Sequence, residues 1–260
     1  VFGWQRLADP KTASQYNYLV QTLNIVNANE VVAGEKPVEE LGVKAIDDKT
    51  LEVKLTLPVD FLLGMMAFPS FFPLNKEFYE SKGDLYSTSP ENLLYCGPYV
   101  MDSWTPGNNF TFSKNPDYFK DHSDFVDKIE FKFIQDTQSA MLEFQSGNLD
   151  VVRLSGEMVD AYKTEPGFTE RLQGYLWYLS LNRTLDKLTN DNLLRALTLS
   201  VDRETIAKNV LKDGSIAAEG IIPVKLATGP NGKDYREDAG SLLSYDPAEA
   251  VKYYEAAKKE

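Results

Sequence analysis

Asn190 to Leu211, NDNLLRALTLSVDRETIAKNVL, restricts the fold more than any other stretch of this chain. Leu193, Leu194, Leu197 and Leu199 supply an apolar helix face, while Asp191 and Arg195 stay on the wet side. Asp202 then restarts the pattern as an N-cap, its carboxylate set to accept from the free N–H groups of the next turn. Ile206, Val210 and Leu211 follow at helical spacing and give the second helix a buried stripe. Two helices joined at a cap are therefore expected, each with a face that needs cover.

Strand signals lie upstream. Leu51, Val53, Leu55 and Leu57 alternate with Glu52, Lys54 and Thr56, the period of a half-buried strand. With Val43–Ile46 they predict a hairpin turned at Asp47-Asp48-Lys49. Residues 97–104, 109–113 and 128–134 read as further strands, and 149–152 and 174–181 as two more. Helical pattern runs over residues 4–30. Asp136 caps a helix through Met141, Leu142 and Phe144 that stops at Gly147, a C′ glycine. The aromatic run Phe61 to Pro73 reads as buried helix plus crossover. Residues 226–241 read as a long loop, and an amphipathic helix begins near Asp246-Pro247. Strands and helices alternating in this way predict an α/β fold.

A chain of 260 residues holds one large domain or two modest ones, and 43% hydrophobic residues suffice for a substantial core. The net charge of −12 argues against a nucleic-acid groove, which needs a basic footprint, and against a polybasic membrane patch. No apolar run reaches the length of a bilayer span.

Most candidate chemistry fails on inspection. Gly229-Pro-Asn-Gly-Lys-Asp234 has the wrong glycine spacing for a phosphate loop and no preceding hydrophobic strand. Asp121, His122, Asp124 and Asp127 are metal-ligand types, but one loop rarely closes a site without an orienting shell, so a solvated turn is expected. The sole cysteine, Cys96, is expected to be a buried structural thiol, with His122 the only imidazole base. Glu39-Glu40 and Asp47-Asp48 read as surface charge. Asn109 and Asn182 fit a glycosylation sequon that is common by chance. No metal and no cofactor is expected, nor catalysis.

The string Arg195-Ala-Leu-Thr-Leu-Ser-Val-Asp-Arg203 closely resembles the "VRxALxxAxDR" signature of the extracytoplasmic peptide-binding proteins of ABC importers, solute-binding family 5. Residues 1–14 resemble that family's "FVYSWQRLxxPxTAS". Residues 96–104 are similar to its "NGAYxLxxW", 115–119 to "RNPxYW", and 144–151 to "FxSGEIDV". The resemblance implies a partial type II periplasmic-binding-protein fold. Residues 1–75 would belong to an accessory α/β domain, 76–178 to the first ligand-gripping lobe, and 179–260 to the start of the second. Family members are roughly twice as long, so an internal fragment is expected.

The implied function is capture of oligopeptides outside the cytoplasmic membrane, by a lipid-anchored or periplasmic monomer, and delivery to an ABC permease. The resemblance leaves a dipeptide, a nickel chelate or haem as alternative ligands, and an acid-pair hydrolase as a distant competitor. It carries Tyr16, Arg153, Leu154, Ser155, Tyr175, Tyr178 and Asn182 over as ligand-binding residues. Arg153-Leu154-Ser155 departs from the family's usual Tyr-Asn-Asn, and Arg153 is expected to meet an acid or a ligand carboxylate.

Overall fold

Asparagine and aspartate stand at the start of most helices of this chain, and two asparagines in left-handed conformation separate two of the first ones. The computed structural model describes residues 1–260, which divide into two compact units, Val1–Phe133 and Ile134–Glu260. In the first unit the helical pattern of residues 4–30 is broken into three pieces: α1 (Phe2–Ala8), α2 (Tyr18–Thr22) and α3 (Ala28–Val32). Asn24 and Asn27 cause the break between α2 and α3, at φ 53° and 62°, conformations that asparagine tolerates and a helix does not. The core lies between these helices, where Trp4, Leu7, Leu19, Val20, Leu23, Ile25 and Val31 are buried together. Trp4 anchors it from α1, its indole Nε1 donating to the Phe71 carbonyl at 3.0 Å.

The expected hairpin forms from β1 (Val43–Ala45) and β2 (Leu51–Val53), antiparallel with Val43 opposite Val53. Asp47 closes the turn by accepting from the Lys49 N–H at 2.8 Å and the Thr50 hydroxyl at 2.9 Å. The second strand is shorter than its alternation suggests. Beyond Val53 the chain turns to a new neighbour, with Lys54 bonding both Gly42 and Val26 and Leu55 bridging to Ile25, while Leu51 and Leu57 are exposed. The aromatic run also departs from the buried helix expected of it. Gly64, Pro69 and Pro73 hold its helix, α4 (Leu62–Met65), to a single turn. Of the aromatics in that run only Phe71 is fully buried, while Phe61 and Phe72 are exposed.

After α5 (Lys76–Lys82), capped by Asn75, comes a three-stranded antiparallel sheet. Its strands β3 (Tyr99–Thr105), β4 (Asn109–Lys114) and β5 (Lys128–Lys132) lie in that order. Cross-strand aromatics hold β4 to β5: Phe110 lies opposite Phe131, with ring centroids 4.7 Å apart. Because β3 begins only at Tyr99, Cys96 stays in the connecting segment and is exposed, a correction to the buried thiol expected from sequence.

In the second unit α6 (Thr137–Gln145) starts at Asp136, which accepts from the Ser139 N–H at 2.8 Å. It ends in a Schellman motif: Gly147 at φ 77° bonds Phe144, and Asn148 bonds Glu143. Helix α7 (Gly156–Tyr162) follows. Helix α8 (Asp191–Ser200) is capped by Asn190 and packs antiparallel on α11 (Pro247–Ala257), which is capped by Asp246. At one end of the pair, Asn190 and Asn192 donate to the Glu260 carboxylate at 2.7 and 2.9 Å. The seam is made by Ala196 and Ala250; Leu197, expected inside, is exposed.

Asp202 does restart the helix, accepting from the Thr205 N–H at 2.9 Å. After α9 (Arg203–Thr205) the chain winds into a π-turn over Ile206–Leu211. That wider winding shifts the register, so Ala207 is buried and Ile206, Val210 and Leu211 are exposed, opposite to the expected stripe. Residues 226–241 contain the short helix α10 (Tyr235–Ala239). The expected strands at 149–152 and 174–181 do not form. Both stretches lack a ladder partner within this chain, and a strand without a partner leaves its N–H and C=O groups to solvent.

Candidate ligand-binding site

The segment Arg153-Leu154-Ser155 lies between the unpaired stretch 149–152 and α7, and Gly156 fixes its position. A side chain at Gly156 would collide with the Leu211 main-chain carbonyl. Only glycine allows α7 to close on the end of the π-turn. This packing brings Arg153 near Asp213, just beyond that turn. The Asp213 carboxyl is held below its ordinary range by hydrogen bonds from the Ser215 hydroxyl and N–H, with a smaller contribution from the Arg153 charge. Arg153 itself is exposed and forms no ion pair. Asp213 was not legible as its neighbour, because Lys212-Asp213-Gly214-Ser215 reads only as a turn.

Tyr175 and Tyr178 are 73% and 76% exposed on the extended stretch 174–181. Trp177 between them is 90% exposed, and its signal in the sequence is the period of two shared by Tyr175, Trp177 and Leu179. The Asn182 side-chain Oδ1 accepts from the Thr184 N–H and hydroxyl at 3.0 and 2.7 Å, an Asx turn that ends the stretch. Leu154 and Ser155 are half-buried. Tyr16 belongs to the other unit, where its ring meets Phe68 edge-on at 5.1 Å and stays largely exposed.

A cavity of about 190 Å³ in the first unit is lined by Gln21, Asn24, Asn27, Asn29, Glu30 and Thr56 among others. None of the residues expected to bind ligand lines it, and it falls below the ~300 Å³ at which small-molecule pockets begin. In the loop of Asp121 and His122, Asp121 accepts from the Ser123 N–H at 3.0 Å and His122 stands edge-on to Tyr118 at 5.4 Å.

The candidate residues of this α/β chain are thus exposed aromatics and an exposed guanidinium. The chain belongs to the bacterial extracellular solute-binding proteins, family 5, whose middle-region model matches residues 1–260. It is 36% identical to a probable deoxycholate-binding periplasmic protein of Escherichia coli, covering 81% of this chain and 40% of that protein. It is 31% identical to the periplasmic oligopeptide-binding protein of Salmonella typhimurium, covering 86% of this chain and 42% of that protein. Among solved structures, the peptide-binding pheromone receptor PrgZ is similar over 99% of this chain and 51% of its own, at 29% identity and a TM-score of 0.86. The chain thus spans about half the length of the relatives it matches. The partial periplasmic-binding-protein fold expected from the resemblance is the fold observed. No helix is long and apolar enough to cross a membrane.

Proposed function

We propose that the protein containing this chain captures oligopeptides outside the cytoplasmic membrane, anchored there by lipid or free in the periplasm, and delivers them to an ABC permease without chemistry. The observation that carries this reading is the agreement with a peptide-binding receptor along nearly the whole chain. The exposed Arg153 supports it, since a guanidinium without an ion-pair partner suits a peptide carboxylate. Tyr16, Tyr175 and Tyr178 offer large apolar area with few rotatable bonds, suited to ligands of varied sequence. The three-part division at about residues 75 and 178 and the seven ligand-binding residues belong to the same proposal.

Calorimetry of the full-length protein with tri- to pentapeptides, and with deoxycholate in parallel, tests it. Peptides are expected to bind, and Arg153→Ala to weaken binding by about 1.5–3 kcal/mol, the range for a hydrogen bond to a charged group. The loss should concentrate in peptides with an acidic side chain or free C-terminus. Binding of deoxycholate with no response to any peptide would refute the peptide reading in favour of the ligand named for the Escherichia coli relative.

A further inference from the structure

The glycine-rich string that fails as a phosphate loop, Gly229-Pro-Asn-Gly-Lys-Asp234, closes a hairpin whose bonds all lie within residues 227–238. Thr228 bridges Asp234, and the Tyr235 N–H donates to the Ala227 carbonyl at 2.9 Å. At the tip the Gly232 N–H donates to the Gly229 carbonyl at 3.0 Å, and the Gly229 N–H to the Lys233 carbonyl at 2.7 Å. Gly232 stands at φ 79°, the left-handed position that follows a type I turn in short hairpins. The tip therefore needs glycine after Asn231, and Asn231-Gly232 is the only Asn-Gly pair in the chain. Both residues are exposed. The Asn231 Oδ1 accepts from the Lys233 N–H at 2.9 Å, and its Nδ2 donates to the Asp238 Oδ1. The ring closed by the first of these bonds passes through the Gly232 nitrogen and folds the Asn231 Cγ back toward it. The same bond draws electron density from Cγ, as a donor at an oxyanion does. Glycine has no side chain to bar the approach.

We propose that Asn231 is a site of spontaneous deamidation, and that the product sets a new carboxylate against Asp238 and loosens the hairpin. The Gly232 nitrogen gives its proton to solvent and attacks Cγ, forming a C–N bond. The Cγ–Nδ2 bond breaks, and the amide nitrogen leaves as ammonia. Water then adds to the five-membered imide and opens it at one of its two carbonyls. One opening gives aspartate; the other gives isoaspartate, in which the main chain runs through the former side chain. Water is the only co-reactant, and no electrons are exchanged. Either product carries one more negative charge than asparagine. The Nδ2 donor that held Asp238 is replaced by a carboxylate oxygen, which only accepts. Asp238 has no retreat on this side, because its Oδ2 packs against the buried Gly229. Two carboxylates held this close repel, and the strain falls on the turn that joins Gly229 to Lys233. In isoaspartate the extra main-chain carbon also breaks the register of the Thr228–Asp234 bridge.

The test is ageing of the full-length protein at mildly alkaline pH, followed by peptide mapping and amide hydrogen exchange. The fragment holding Asn231-Gly232 should gain one mass unit ahead of every other asparagine and split into aspartyl and isoaspartyl forms. Asn231→Gln should keep its mass at this fragment, since closure there would need a six-membered imide. In the aged protein, and in Asn231→Asp without ageing, exchange at the Gly229 and Tyr235 N–H groups should quicken by about fivefold, the factor that one hydrogen bond supplies. Adding Asp238→Asn to Asn231→Asp should abolish that gain. A fragment that keeps its mass, while the same protein in denaturant deamidates there, overturns the proposal. Earlier loss of ammonia at another asparagine overturns it too, as does exchange that stays unchanged in Asn231→Asp or stays fast once the Asp238 charge is removed.

Discussion

Replacing Gly42 by alanine tests the packing of the first unit at one methyl group. Gly42 sits where three strands of main chain meet. Its N–H donates to the Val26 carbonyl at 2.9 Å, its carbonyl accepts from Lys54 at 2.8 Å, and the Val26 N–H donates to Lys54 at 2.9 Å. A Cβ on residue 42 would lie 2.8 Å from the Val26 Cβ, 2.9 Å from the Lys54 oxygen and 3.1 Å from the Val26 nitrogen. Two of those neighbours are backbone and cannot swing aside, so the segments must separate by about half an ångström. Overpacking of this kind costs about 1–3 kcal/mol, and weakening one or two of the three hydrogen bonds adds about 1 kcal/mol each. Restricting the unfolded chain returns up to about 1 kcal/mol. The net cost is therefore about 2–4 kcal/mol, which lowers the midpoint of a unit this size by roughly 10 °C. The assay is thermal unfolding followed by Trp4 fluorescence, with Trp104 and Trp177 changed to phenylalanine, because Trp4 is buried in the same core. Gly64→Ala is the matched control. No atom lies within 4 Å of its added Cβ and it sits in α4, so it should stabilise by about 0.5–1 kcal/mol. A Gly42→Ala midpoint equal to that of the parent would refute the reasoning.

Other consequences follow from single contacts. Trp4→Phe removes the hydrogen bond to the Phe71 carbonyl and leaves a void, so the urea midpoint of the first unit should fall by an amount worth about 2–4 kcal/mol. Arg236 is 9% exposed, with three guanidinium nitrogens that have no hydrogen-bond partner. Arg236→Met should raise the thermal midpoint of the second unit, by about 1 kcal/mol after loss of the contact with the Tyr235 ring. Hydrogen bonds from the Ser139 hydroxyl and N–H hold the Asp136 carboxyl below its ordinary value. Its ionised form therefore stabilises α6 above the unfolded value of about 3.9, and that contribution is lost as pH falls through the lower native value. Asp136→Asn should reduce the drop in thermal midpoint between neutral pH and about pH 3; an undiminished drop would contradict this assignment.

Local rules were legible in the sequence and non-local ones were not. The caps at Asp136, Asp202 and Asp246 and the stop at Gly147 each depend on a side chain or φ angle within four residues, and each forms where the sequence places it. The hairpin is local as well, because the Asp47 turn brings its own strands together. Burial on a helix face is different. The π-turn at Ile206–Leu211 rotates the second helix by an amount that no apolar spacing encodes, and on α8 Ala196 is buried while Leu197 is exposed and Leu193, Leu194 and Leu199 are only half-buried. The strands at 149–152 and 174–181 have the right composition, but a strand is a property of two segments. The candidate site follows the same division: Arg153 came from the family resemblance, whereas Asp213, whose carboxyl feels the Arg153 charge, was not legible.

That division bears on how tightly this chain alone can hold a ligand. A pocket gains affinity by taking 70–90% of its ligand out of water and by meeting the ligand's polar groups with preorganised partners. Arg153, Tyr175 and Tyr178 are exposed within their own unit, and the stretch carrying the two tyrosines has no ladder to hold it in place. Each contact with a peptide would then be made half in water and would also have to order the backbone behind it, at about 1–2 kcal/mol per residue. One charge-assisted hydrogen bond and two partly covered rings are offset by ordering only a few residues. Titration calorimetry of the 260-residue chain with a mixed tri- to pentapeptide library should therefore show nothing tighter than about 1 mM, or roughly −4 kcal/mol. Micromolar affinity in the same titration would mean that these side chains close on the peptide despite their exposure, and the argument from burial would fail.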